Sequence, residues 1–367
     1  MPTLAIMDAF ADLPDARRAQ GTRHEHTLCI ALFTLAVAAG NRGFLAIGDW
    51  LKSYQTQLLE LFEPKKKRLP SYSTIRRVLL KVDEDEYAQC LSRFFGVTPE
   101  AGETVAMDGK VLKHSFMNET DNPHFAAHPA IMMVSAYVVE RGLILPPHAV
   151  ERKTNEIKAL PEMIERLALK GVVFAFDAIN TQKKTARLIV TSQNDYLGAL
   201  KGNQRGLLAD VKAHFKAQQT VSTLDKGHGR IEKRTISICR DLSHIRAFPG
   251  LKTLVRVESK RTEIYADMLV ETQETRYYIT SLEEDAMRLA QRIRGYWGVE
   301  NKVHYVRDVT QGEDASRIRT PPLIGLFVQA RNLAINLYRT DGWTNMAQAQ
   351  RRCGQSLDTL MGVFRMK

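Results

Sequence analysis

Two short apolar runs that each end in an aspartate constrain this chain more than any other feature. One is Glu103-Thr104-Val105-Ala106-Met107-Asp108-Gly109-Lys110 and the other is Val172-Val173-Phe174-Ala175-Phe176-Asp177. Runs of this length and composition are those of buried strands. An acid at the C-terminal tip of such a strand sits where open α/β sheets bind ligands. A helical pattern from Asn155 to Lys170 leads into the second run, and another from Thr181 to Gln193 leads on to Tyr196-Leu197-Gly198-Ala199-Leu200-Lys201. Strands joined by helices imply βαβ units and a partly parallel sheet.

A third acid is expected at Glu300. At roughly 100° per residue, Ala286, Leu289, Ala290, Ile293 and Trp297 fall on one stripe of a helix spanning Glu283 to His304, and Glu300 falls inside that stripe. A carboxylate on a core-facing stripe is costly unless it is paired or binds a metal. Two other readings stay open: Glu300 neutralises a buried arginine, or the helix breaks at Gly298 and leaves the side chain in water. Three carboxylates together suit hard divalent cations such as Mg2+. Glu313 and Asp314 also form an acidic pair, but it lies beyond the periodic helix.

Residues 1 to 98 read as helical, with apolar helices at Leu28–Ala39, Phe44–Phe62 and Glu84–Phe95. Between the last two, the basic loop Pro64-Lys65-Lys66-Lys67-Arg68-Leu69-Pro70 leads into a helix for which Ser73 is a fair cap. That helix buries Ile75, Val78 and Leu79 and exposes Arg76, Arg77 and Lys81, the pattern of a DNA-reading helix or of a solvated charged face. Pro99 and Gly102 mark a boundary, so 99–220 forms the first part of a core. Alternating residues in Arg234–Cys239, Thr253–Glu258, Ile264–Thr272 and Tyr277–Thr280 predict strands inserted over 221–281. The interval from Asp177 to Glu300 is 300 − 177 = 123 residues, too long for one crossover, so these strands are expected to form a β-rich subdomain. Residues 282–367 then supply the helix of the third acid and C-terminal helices, including Ile324–Tyr338.

Charge narrows the class of partner. The chain of 367 residues carries 52 Lys and Arg against 41 Asp and Glu, a net charge of +11. Such an excess points to a polyanion, most simply nucleic acid, because neutralising phosphates releases counterions. A small-molecule metalloenzyme would not need it. The four cysteines, Cys29, Cys90, Cys239 and Cys353, have no metal-finger spacing and read as reduced and structural. With no leader pattern and no run of about 18 apolar residues, a cytoplasmic location is expected.

Several separated motifs, in order, resemble a DDE-type insertion-sequence transposase of the branch that includes the H-repeat-associated proteins. They are Met107-Asp108-Gly109-Lys110, Lys153-Thr154-Asn155-Glu156-Ile157, Phe176-Asp177-Ala178 and Leu200-Lys201-Gly202-Asn203-Gln204. Further on come Gly227-His228-Gly229-Arg230-Ile231-Glu232, Arg276-Tyr277-Tyr278-Ile279, Val299-Glu300-Asn301-Lys302-Val303-His304 and Glu313-Asp314-Ala315-Ser316-Arg317. The resemblance covers nearly the whole chain, and its weight lies in the ordered set.

It implies an α/β fold: an RNase H-like catalytic core with a β-rich insertion, preceded by an all-helical, transposase-associated N-terminal domain. It also implies that the strands ending in Asp108 and Asp177 lie side by side, so that Asp108, Asp177 and Glu300 are catalytic ligands of two Mg2+ ions, with Mn2+ possible. The implied activity is cleavage of double-stranded DNA at terminal inverted repeats followed by strand transfer into target DNA, by a dimer on DNA. Candidate DNA contacts are Arg76, Arg77, Lys81, Lys110, Lys201, Asn203, Arg230, His304 and Arg317, each with a solvated or structural role as its alternative. Many relatives carry a Tyr, an Arg, the Glu and a Lys at set spacing. Here those places hold Ile293, Tyr296, Glu300 and Arg307, so hairpin formation is not carried over. A silent, DNA-binding copy and a structure-selective nuclease are the competing readings.

Overall fold

The computed structural model describes residues 5–18, 22–121, 125–149, 156–227, 229–264 and 268–365. Lys153, Thr154, Asn155 and His228, singled out above, lie outside them. Six helices come first: α1 (Ala5–Ala9), α2 (His26–Ala38), α3 (Phe44–Ser53), α4 (Gln55–Phe62), α5 (Tyr72–Leu79) and α6 (Glu84–Phe94). The helix expected over Phe44–Phe62 is two, because the backbone leaves the helical region at Tyr54 (φ −109°, ψ 21°). The cap of α5 is Ser71 rather than Ser73: its side chain accepts from the Thr74 amide at 3.3 Å.

The alternating region follows as β1 (Thr104–Val111), β2 (Met132–Val138), β3 (Leu143–Ile144), β4 (His148–Ala149), α7 (Glu156–Leu167), β5 (Val173–Phe176), α8 (Lys183–Thr191), β6 (Asp195–Leu200) and α9 (Arg205–His214). Four long strands come next, β7 (Gln219–Gly227), β8 (Arg230–Cys239), β9 (Thr253–Ile264) and β10 (Leu269–Thr280). The chain ends in α10 (Ala286–Tyr296), α11 (Leu323–Thr340), α12 (Met346–Gln355) and α13 (Leu357–Val363).

The strands make one sheet of order β3-β2-β1-β5-β6-β10-β9-β8-β7, with β4 on β2. Strands β1, β5 and β6 are parallel and β2 is antiparallel to β1, the strand order of an RNase H-like core. The inserted strands do not stand apart: Tyr278 of β10 pairs with Ala199 of β6, so the meander continues the core sheet.

Alternation along β1 and β5 separates two apolar cores. Val105, Met107, Phe174 and Phe176 face α7, α8 and α9, while Ala106, Val173 and Ala175 face the other side, toward α10 and α11. The N-terminal helices join that second core. Helix α2 is buried all round and packs on α11, with Phe33 edge-on to Phe327 at 4.9 Å between centroids. Phe33→Ala is therefore expected to lower the stability of the whole chain by about 3–5 kcal/mol. Chemical denaturation should show one shifted transition with no early N-terminal phase. The four cysteines are buried thiols without a disulfide, and no helix among the described residues is long and apolar enough to cross a membrane.

Candidate active site

The last paired rung of β1 and β5 is Ala106 with Ala175, and Asp108 and Asp177 each lie two residues beyond it. The period of two puts both carboxylates on the face that α10 covers. Helix α10 is tied to that face by a buried guanidinium. Arg292 donates to Glu284 at 2.6 and 2.7 Å and to the Thr104 hydroxyl, at the start of β1, at 2.6 Å. Close approach needs a glycine: a Cβ at Gly295 would lie 2.2 Å from Val139 Cγ1.

After α10 the helix widens into two π-helical stretches, Val299–His304 and Val306–Thr310. This alters the expected phase. Tyr296, Val299 and Val303 are buried, whereas Trp297 and Glu300 are exposed, so Glu300 does not sit on the core-facing stripe. Extra residues in π turns re-aim side chains. Glu300 instead lines a cavity of about 470 Å³ together with Asp108 and Asp177.

The wall of this cavity is basic and aromatic. Lys201, Lys212 and Arg276 contribute charge, and Tyr278 and Trp297 contribute rings. The Arg276 guanidinium stacks over Trp297 at 4.8 Å and donates to Glu274 at 2.6 Å, which holds the Glu274 carboxyl below its ordinary range. Lys212 and Arg276 were not picked out as site residues. Arg276 stood in a quoted motif, but only the pairing of β10 with β6 brings it to the aspartates.

His304 is buried, with Nδ1 3.3 Å from Asp108 Oδ2 and with Nε2 lacking a hydrogen-bond partner among the described residues. The Asp177 carboxylate accepts from the Asn180 amide at 3.2 Å and from its side chain at 3.1 Å. Asn203 braces the same loop by donating to the Ala178 carbonyl, a positioning contact rather than one that faces the cavity.

Lys110 does not face solvent. It lies on the same side of β1 as Asp108 and is held by Asp308, by Glu313 at 3.3 Å and by Asp314 at 3.5 Å. Burial pushes its ammonium group below the ordinary lysine range. Glu313 is enclosed by Arg307 at 2.7 Å and Arg331 at 3.5 Å. Burial raises its pKa, but Arg307 and Arg331 outweigh that and bring it down to about 2. This acid is committed to an internal ion cluster, which separates it from the cavity acids. Lys201, Arg230, Arg317, Arg77 and Lys81 are exposed and Arg76 is half-buried. Of these only Lys201 reaches the cavity of the three acids, while Arg230 lines an adjoining groove.

The donor set suits a hard cation. All three acids offer oxygen to one cavity, and none forms an ion pair with Lys or Arg among the described residues. As the side chains stand, no three His, Cys, Asp or Glu among the described residues are close enough to hold a metal ion.

Comparison with known proteins agrees with the fold. The chain is 31% identical over 360 residues to "Putative transposase YncI" of Escherichia coli O157:H7, covering 92% of this chain and 88% of that one. It is 29% identical over 350 residues to "H repeat-associated putative transposase YhhI" of Escherichia coli strain K12, covering 92% and 90%. Among solved structures, a piggyBac transposase synaptic complex with hairpin DNA aligns over 99% of this chain and 77% of its own at 12% identity. Its TM-score of 0.46 is too low to add to the fold. The DDE_Tnp_1-associated family model matches residues 7–95. Because the transposase DDE domain model matches residues 100–337, the chain belongs to the DDE transposase family.

Proposed function

We propose that this transposase cuts phosphodiester bonds at the ends of an insertion sequence and joins the freed 3′ ends to target DNA, with Asp108, Asp177 and Glu300 as the catalytic acids. The observation that carries this reading is the meeting of the three acids on one cavity, two of them two residues beyond the last paired rung of adjacent parallel strands. In the first step water attacks phosphorus, the bond to the 3′ oxygen breaks, and a 3′-hydroxyl and a 5′-phosphate remain. In the second, that hydroxyl attacks a target phosphodiester and displaces its 3′ oxygen. Both steps are displacements at phosphorus, so one cavity serves both.

The three acids would hold two Mg2+ ions, or Mn2+, which when bound stabilise the entering and leaving oxygens. Asp108 is kept in place by the His304 ring and Asp177 by Asn180. Lys201, Lys212 and Arg276 supply positive charge for the scissile strand, and Trp297 offers a ring face to a base. A dimer on DNA accords with the need to bring two ends together.

The test is cutting and joining of DNA that carries the ends flanking the gene, with cut and joined products scored separately. Joined products dependent on Mg2+ or Mn2+ are expected. Cutting without joining would favour a nuclease, and binding without cutting would favour a silent copy. His304→Ala is expected to lower the rate of cutting about 10- to 100-fold with DNA binding unchanged, as for residues that orient a ligand. Gel-resolved single-turnover cleavage checks this, and an unchanged rate would remove His304 from the site.

A further inference from the structure

A second cavity, of about 950 Å³, is lined entirely by residues of the N-terminal helical region and shares none with the catalytic cavity. Arg17, Arg23, His24, Arg68, Arg77 and Lys81 line it, and no carboxylate does. Arg17 is paired with Asp15 at 2.6 Å, but Arg23, Arg68, Arg77 and Lys81 form no ion pair among the described residues. Their charges come from three segments held around one hollow. Arg17 donates to the His24 carbonyl at 3.0 Å, and Lys81 reaches the Ala16 carbonyl at 3.4 Å. Ser71 and Thr74, at the start of α5, add hydroxyls. Burial and the neighbouring Arg68, Lys66, Arg17 and Arg23 hold the His24 imidazole below its ordinary range.

This arrangement differs from a reading helix. Such a helix projects into a major groove and presents several side chains outward. Here Thr74, Arg77 and Val78 of α5, with Lys81 just past its end, line a concave surface, and Arg76 is not part of it. Concave cation-lined surfaces suit a backbone of regularly spaced phosphates.

We propose that this cleft is a second DNA site, one that grips the sugar-phosphate backbone of duplex DNA away from the catalytic cavity without reading base sequence. The inference rests on the proposed reading that DNA is the substrate. The phosphate contacts would keep a long duplex on the protein while its end is processed elsewhere.

Anisotropy of the full chain on a terminal-repeat duplex and on a scrambled duplex, across a salt series, tests it. Arg68→Ala with Arg77→Ala is expected to weaken both duplexes alike, about 10-fold or more, and to reduce the slope of log K against log salt by about 1.8, near 0.9 per lost contact. Arg68→Lys with Arg77→Lys keeps the charges and should keep the slope. Both arginines are exposed, so the melting temperature should not move. Unchanged affinity and slope would overturn the proposal. So would a loss confined to the terminal-repeat duplex, which would mean base reading, and so would wild-type binding to anionic vesicles but not to duplex. A protein that binds through the cleft yet never cuts would overturn the catalytic reading alone. One that cuts while the cleft variants bind normally would overturn the cleft alone.

Discussion

Asp177→Asn and Glu300→Gln are each expected to stop cutting and joining, by on the order of a thousandfold or more, while leaving binding to the element ends intact. Each replacement keeps the shape of the side chain and removes its charge. A neutral amide is a poor ligand for a hard divalent ion, whereas the basic wall of Lys201, Lys212 and Arg276 is untouched. Removing a negative charge from a cavity proposed to receive phosphate does not weaken binding on electrostatic grounds. Single-turnover cleavage on labelled ends, beside a binding titration of the same preparation, separates the two effects. Cutting by either variant at a rate close to wild type would sink the assignment of that acid. The same substitution at Asp314, which is bound to Lys113 at 2.7 Å and lies off the cavity, should leave cutting unchanged.

Glu313→Gln should unfold the protein more readily, with a loss of about 3–5 kcal/mol, because it leaves Arg307 and Arg331 buried without their counter-charge. The same cluster sets an acid limit. The Glu313 pKa falls from an ordinary 4.5 to about 2 on folding, so its stabilisation is fully present above the unfolded value. It is lost as pH drops from about 4.5 through about 2. Urea melts at about pH 6 and about pH 3 should show wild type losing more stability on acidification than the variant, since the variant lacks this titration. Parallel losses in the two proteins would remove Glu313 as the cause. The cluster also joins Lys110 of β1 to the π-helical stretch carrying Asp308, close in sequence to the contact of Asp108 with His304, so both properties bear on the site.

The two aspartates stood out because a strand tip is a local pattern, and each lies two residues beyond the paired rung of Ala106 and Ala175. Glu300 was chosen on helical phase as a residue of the core-facing stripe, and the structure turns it outward instead. A phase of roughly 100° per residue cannot be carried through a π turn, whose hydrogen bonds span one residue more. The environment of Lys110 was hidden for a different reason: its partner carboxylates lie about 200 residues onward. The joining of the meander to the core was equally non-local, resting on four residue pairs between β6 and β10. Helix α2 needed no such contact to be recognised, since an apolar run on every face has to be buried. Nothing in its composition, however, says that α11 is its partner.

Strand β10 behaves mechanically as a cantilever. Its root, Tyr278 to Thr280, is buried and paired on both sides, whereas most of the length from Leu269 to Thr275 is exposed. Twelve residues of strand make a beam of about 40 Å. A load on the outer hairpin therefore acts through a long arm on a short clamp, and Arg276 and Tyr278, which wall the cavity of the three acids, sit at that clamp.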